Sequence, residues 1–235
     1  MDKKETADKN GEEKIVPDEK KLSPEKQDKL DKTNQQKDFW NRHLLTWENN
    51  FLTPNSVHAK QHIKCIDIAK KLPKGSNVIE VGCGTGLFVE DLLEERDYQY
   101  LAFDFSTTAI EGTQARATSA SFRKVPIESI KKYLSTYPFD YQAIISIELL
   151  NWISHEELKT IAKLSSGKKY IHTFLSHPTL LQKAIHFIKN LIVYNKDYKL
   201  AKENFYTDEQ ILKYFPDAKI ISDPELEFHR IVTNI

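Results

Sequence analysis

The chain has little of what would mark a secreted, membrane-spanning or polyanion-binding protein. It holds two cysteines in 235 residues, Cys65 and Cys83. They show no pairing pattern and no metal-ligand spacing, which argues against a disulfide scaffold and fits a reducing cytoplasm. There is no excess of either charge: 34 Lys and Arg balance 34 Asp and Glu, so a general polyanion binder is disfavoured, although local basic patches stay open. No apolar run approaches the roughly eighteen residues of a membrane span, and the opening residues are far too charged for a signal peptide. They are also too acidic for a transit peptide. The expectation is a soluble, cytoplasmic chain with no membrane span.

Length allows one large α/β domain with an appendage. Residues 1–36 are dominated by Lys, Glu, Asp and Gln, with isolated apolar residues that form no stripe, and read as a charged tail, disordered or loosely helical. From Phe39 the composition changes. Trp40, Leu44, Trp47 and Phe51 recur at helical spacing over about 37–51, and this aromatic stripe reads as docking onto the domain or as contact with a substrate. A second helix follows Pro54, capped by Asn55 or Ser56, and runs to about Lys71 with Val57, Ala59, Ile63 and Ile66 inward. Together 37–72 would form leading helices over a cleft, with the main domain at 73–235.

That domain is organised around Asn77 to Glu90. Val78, Ile79 and Val81 suit a strand buried on both faces; Gly82, Gly84 and Gly86 follow, then the start of a helix. Without Cβ atoms the backbone turns sharply and admits a ligand to the main chain, while the helix offers unpaired N–H groups. The dinucleotide fingerprint needs glycine at its sixth position. Leu87 stands there, which disfavours a dinucleotide oxidoreductase. A second strand, Leu101 to Asp104, ends in a carboxylate about twenty residues beyond the glycines, the offset at which an acid meets a ribose in such a βαβ unit. Asp104 could equally, with Ser106 or Thr107, cap the helix that follows.

Gly-x-Gly-x-Gly preceded by the acidic Glu80 resembles the first motif of the class I S-adenosylmethionine-dependent methyltransferases, where the loop wraps the methionyl part of the cofactor. Phe122 to Glu128 and Phe139 to Leu150 resemble the third and fourth motifs of the ubiquinone-biosynthesis type O-methyltransferases. The resemblance covers about 77–175 and implies cofactor contacts by Glu80, Gly82, Cys83, Gly84, Gly86, Asp104, Phe105, Ile127 and Ile147. It departs in two places. Pro126 replaces an aspartate common in relatives, and of the Glu-x-x-Glu-His ligand set some relatives use for a divalent cation only Glu148 is kept, with Asn151 and Trp152 following. No metal is expected. The implied fold is a Rossmann-like, doubly wound, mostly parallel seven-stranded sheet with an antiparallel last strand. Strands near 120–125 and 169–175 and helices at 109–117 and 155–164 fill its middle, an apolar helix at 178–194 lies within a lid of about 178–203, and a hairpin near 218–222 and 227–234 closes the sheet.

The implied chemistry is displacement of the methyl group from the cofactor's sulfonium by an acceptor atom, at the carboxyl ends of the strands. A base is needed only for a hydroxyl that must ionise. His177 and His155, at strand ends, are the candidates, with His172 as another that could simply sit in the sheet. His43, His58 and His62 reach the cleft only if the leading helices fold over it. Trp40, Trp47 and Trp152 are candidate walls for a small, partly apolar acceptor methylated on O or N. The alternatives are an RNA or protein methyltransferase, or a non-catalytic cofactor-binding partner protein. A nucleic-acid partner is disfavoured because Ile147-Glu148-Leu149-Leu150 stands where many nucleic-acid N-methyltransferases carry Asn/Asp-Pro-Pro-Tyr.

Overall fold

The computed structural model describes residues 24–195, 197 and 203–235, with side chains from residue 34 onward. Most of the expected tail and the end of the expected lid lie outside them. Within them α1 (Pro24–Leu52) begins well before residue 37, at a proline whose fixed φ suits a first helical turn. Then come α2 (Val57–Ala69), β1 (Asn77–Val81), α3 (Leu87–Glu95), β2 (Gln99–Asp104), α4 (Thr107–Arg116), β3 (Ser121–Lys124), α5 (Ile127–Thr136) and β4 (Ala143–Ser146). The chain continues through α6 (His155–Ser165), β5 (Lys169–Leu175), α7 (Leu180–Tyr194), α8 (Asp208–Leu212), β6 (Lys219–Ile221) and β7 (His229–Thr233).

One seven-stranded sheet runs in the order β3-β2-β1-β4-β5-β7-β6. The first five strands are parallel, and β7 lies antiparallel between β5 and β6. Because β1 has β2 on one side and β4 on the other, the loops leaving β1 and β4 diverge, and a cleft opens at their carboxyl ends. The strand runs are continuously apolar because both faces are covered. On one face Val78, Ala102 and Ile145 pack against Cys65 and Ile66 of α2 and Val89 and Leu92 of α3. On the other, Ile79, Leu101, Ile144 and Phe174 pack against Ile130 of α5, Leu158 and Ile161 of α6 and Ile211 of α8.

Local signals set the helix starts. Ser56 caps α2, its hydroxyl accepting from the Ala59 N–H at 3.0 Å, and Ser106 caps α4 in the same way through Ala109. Thr207 and Gln210 form a reciprocal capping box on α8. Two faces differ from expectation. In α2 the inward residues are Gln61, His62, Cys65, Ile66, Ile68 and Ala69, whereas Ile63 is 60% exposed, because the side of α2 that carries Ile63 has neither the sheet nor α3 against it. In α7, read as an apolar helix, the buried residues are Asn190 and Tyr194, while Leu181 and Ile188 stand in solvent.

Two left-handed glycines separate backbone strain from crowding. Gly167, between α6 and β5, has φ +70° with nothing within 4 Å of an added Cβ. Gly86 has φ +86°, and an added Cβ would overlap Thr113 of α4 and come 3.0 Å from its Cα. Gly167→Ala should therefore cost about 1 kcal/mol in urea unfolding and Gly86→Ala about 3. Equal losses would mean that the glycine loop and α4 are not in close contact.

Candidate active site

The glycine loop leaves β1 between the ends of β2 and β4. The Gly82 N–H donates to the Phe103 carbonyl at 2.8 Å and the Gly86 N–H to the Cys83 carbonyl at 3.0 Å, so the loop is tied to β2 and to itself before α3 begins. Asp104 completes the tie. Its carboxylate accepts from the Gly84 N–H at 3.1 Å on one oxygen and from the Ser106 N–H at 2.8 Å on the other. Thr113 of α4 donates to the Gly84 carbonyl at 2.8 Å and holds the loop from the far side.

Beside this loop is a cleft with about 830 Å³ of empty space, its open mouth included. Of the residues expected to meet the cofactor, Glu80, Gly82, Cys83, Gly84, Asp104, Phe105 and Ile147 line it. Gly86 and Ile127 do not. Gly86 turns the chain into α3 against Thr113, and Ile127 opens α5 and packs on the core of the opposite face.

Burial dominates the electrostatics. It raises the Asp104 carboxyl to about 6, against the backbone hydrogen bonds from Ser106, Gly84 and Phe105 that favour its ionised form. Burial raises Glu80 further, to about 8, although the Tyr100 hydroxyl donates to it at 3.2 Å. The Cys83 thiol is pushed up for the same reason and stays neutral.

The leading helix forms the roof. Trp40, Leu44, Trp47, Glu48 and Phe51 of α1 line the cleft, and Leu44 lies over Gly84. Trp40 and Trp47 meet edge to face with centroids 5.4 Å apart, and Trp152 packs edge on against them at 4.9 and 5.5 Å. Tyr194 of α7 belongs to the same cluster. Docking and cleft lining thus coincide in one stripe. Glu48 pairs with Arg116 of α4, which fastens the roof to the far wall.

The histidines divide sharply. His155 and His177 are exposed and outside the cleft lining, so the structure turns neither into the cleft. His172 is fully buried in β5 between the hydroxyls of Ser146 at 2.7 Å and Ser165 at 2.9 Å; burial lowers it to about 3, so it is a neutral sheet residue. His43 pairs with Asp197. His62 does line the cleft, paired with Asp91 at 2.7 Å. Glu148, at the cleft wall after β4, accepts from His229 of β7 at 3.1 Å and has His58 of α2 at 3.6 Å. Burial acts to raise its carboxyl, but His229 and then His58 outweigh that and hold it well below the usual range. His229 was not singled out from sequence. No local pattern announces it, because three separate elements must fold to join it to Glu148 and His58.

Residues 78–166 match a family model described as a methyltransferase domain. No curated protein matches the chain. Among solved structures, the magnesium protoporphyrin IX methyltransferase of Synechocystis PCC 6803 with bound S-adenosylhomocysteine is 16% identical with a TM-score of 0.62, over 86% of this chain and 98% of that one. The N-methyltransferase NodS of Bradyrhizobium japonicum WM9, in complex with S-adenosylhomocysteine, gives 14% and 0.58, over 85% and 97%. An S-adenosylmethionine-dependent methyltransferase of Anabaena variabilis gives 16% and 0.60, over 85% and 93%. At such identities these likenesses speak for the fold, and the matched domain speaks for the class. The chain thus carries a methyltransferase domain over residues 78–166 and has the fold of S-adenosylmethionine-dependent methyltransferases.

Proposed function

We propose that this enzyme moves the methyl group of S-adenosylmethionine to an oxygen or nitrogen of a small, partly apolar molecule. One observation carries the reading: the cleft at the β1–β4 switch point joins the glycine loop and Asp104 on one side to the indoles of Trp40, Trp47 and Trp152 on the other. The first side suits the cofactor. Asp104 would accept from the ribose hydroxyls, Phe105 would pack on the adenine, and Glu80, Gly82, Cys83, Gly84 and Ile147 would surround the methionyl end. Gly86 would serve by shaping the turn, and Ile127 by supporting the adenine end from α5. The second side suits an apolar acceptor, and the buried Trp152 N–H, which has no hydrogen-bond partner, could take an acceptor oxygen.

The sulfonium is already activated, so positioning and exclusion of water supply most of the rate. The α1 roof does both, and a lid of about 178–203 would close the remaining side through Tyr194. The solved relatives named for magnesium protoporphyrin IX and for N-methylation favour a small acceptor over a macromolecule. The subtype we favour is that of the ubiquinone-biosynthesis O-methyltransferases, on the motif pattern from Phe122 to Leu150. Two free, buried cysteines suit a reducing cytoplasm. Among the described residues no helix is long and apolar enough to cross a membrane.

Asp104 makes cofactor binding pH-dependent. The ribose needs the ionised carboxylate, which in the free chain is complete only above its value of about 6. The contribution of Asp104 to affinity should thus fall with decreasing pH, by up to about tenfold per unit below 6. Calorimetry should show Asp104→Asn binding at least tenfold weaker at pH 7.5, with that pH dependence flattened. Wild-type affinity in the variant would remove Asp104 from the site.

For the acceptor, Trp152→Ala should raise KM several-fold or more while leaving cofactor affinity nearly intact, since the indole stands on the acceptor side of the cleft. The acceptor itself is best sought by incubating the chain with isotope-labelled cofactor and a metabolite extract and reading product masses. A labelled tRNA, rRNA or protein in place of a small molecule would overturn the acceptor assignment.

A further inference from the structure

Three donor atoms from distant parts of the chain converge at the cleft wall. They come from His58 in the first turn of α2, Glu148 in the loop after β4 and His229 at the start of β7, one ligand atom of each lying within 4.8 Å of the others. Both imidazoles address the same carboxylate oxygen, at 3.6 Å for His58 and 3.1 Å for His229. The three side chains are 13%, 4% and 5% exposed.

An ion pair alone explains this poorly. One histidine is enough to pair with one carboxylate, and His229 does so. His58 Nδ1 is too far from the oxygen to hydrogen-bond, yet it is buried with no other partner. Such an orphaned ring nitrogen is costly in a folded protein. The rings are also fixed rather than free to turn away: His58 and His229 pack edge to face at 4.9 Å, with Trp47 5.2 Å and Phe51 5.4 Å from His58. Glu148 itself is held in the left-handed region at φ +55°, where non-glycine residues seldom lie, while its N–H donates to Thr173 Oγ1 at 2.6 Å.

A cation at the common focus answers all three groups. Metal bonds of about 2.0–2.2 Å to imidazole nitrogen and carboxylate oxygen put neighbouring ligand atoms of a tetrahedral site about 3.3 Å apart, and the two measured spacings lie on either side of that value. Two neutral imidazoles with one carboxylate select a transition metal such as Zn²⁺ over the all-oxygen preference of Mg²⁺ or Ca²⁺. We propose that His58, Glu148 and His229 form a three-ligand site for a divalent transition-metal ion, with its open coordination position toward the cleft. The proposal deepens the methyl-transfer reading and rests on it only for what the ion does. Glu148 and Trp47 line the cleft, so an acceptor oxygen on that side could bind the ion, which would lower the pKa of a hydroxyl there. That role would otherwise need a base, and neither His155 nor His177 is within the cleft.

The test uses the full chain, stripped with chelator, and the metal alone. Calorimetry with Zn²⁺ and visible absorption with Co²⁺ should each show one equivalent bound. His58→Ala, His229→Ala and Glu148→Gln should each weaken binding by about 100-fold, at least what the loss of an outer-shell partner costs. His155→Ala should not change it. X-ray absorption at the zinc edge of the wild-type chain should count two imidazole nitrogens, a readout that stands even if a variant does not fold. No saturable binding, unchanged affinity in folded ligand variants, or fewer than two imidazoles would overturn the site. S-adenosylmethionine binding, measured in parallel without metal, separates that failure from a failure of the methyltransferase reading.

Discussion

The Asp104 carboxylate is the group on which the site depends. The Gly84 and Ser106 N–H groups belong to the loops after β1 and β2. By accepting from both, Asp104 fixes the glycine loop against the start of α4, and the positive φ values of that loop become tolerable because the loop has nowhere else to go. The arrangement has an electrostatic cost. Asp104 and Glu80 are both buried, each carboxyl is raised by that burial, and the charge of Asp104 adds to the shift on Glu80. Two carboxyls made reluctant to ionise are a poor way to stabilise a fold. They are a good way to hold acceptors ready for hydroxyl and ammonium groups that would restore their solvation.

The roof follows from a different force. The α1 stripe cannot dock on the sheet, whose faces are already covered, so it docks across the strand ends on Trp152 and Tyr194. Edge-to-face indole pairs contribute about 0.5–1.5 kcal/mol each beyond their buried area, and Trp40, Trp47 and Trp152 make three such pairs. Glu48, bonded to Arg116, adds direction to a contact that apolar packing alone would leave loosely specified.

Much of this was legible in the chain. Strand apolarity, the three glycines and the carboxylate at the end of the second strand are local signals, and they located the sheet, its switch point and most of the cleft. Helix α5 carries a weaker local signal: Ile127, Ile130, Tyr133 and Leu134 stand at helical spacing, but over only ten residues that run on directly from the Phe122–Glu128 motif. His155 and His177 looked placed for catalysis because they follow strands closely, but position along a strand does not say whether a side chain turns into the cleft or out. The Glu148 cluster was illegible for a deeper reason: its donors come from α2, β7 and the loop after β4, and only the antiparallel insertion of β7 beside β5 brings His229 within reach of the cleft wall.

Helix α7 shows where periodicity runs out as an argument. Its apolar residues define a face, but periodicity cannot say whether that face turns inward, and here Leu180, Leu181, Ile185 and Ile192 turn out while His186, Asn190 and Tyr194 turn in. A helix in this orientation gains little from apolar burial. It is held by its capping box at Thr179, by the His186–Glu203 pair at 2.8 Å and by Tyr194 in the aromatic cluster. Polar and aromatic contacts with little apolar burial leave such an element less firmly anchored than the helices packed on the sheet. That is the physical ground for the lid role we propose: α7 would part from the domain mainly by breaking polar and aromatic contacts, and when it returns Tyr194 would close the same indole wall against which the acceptor would lie.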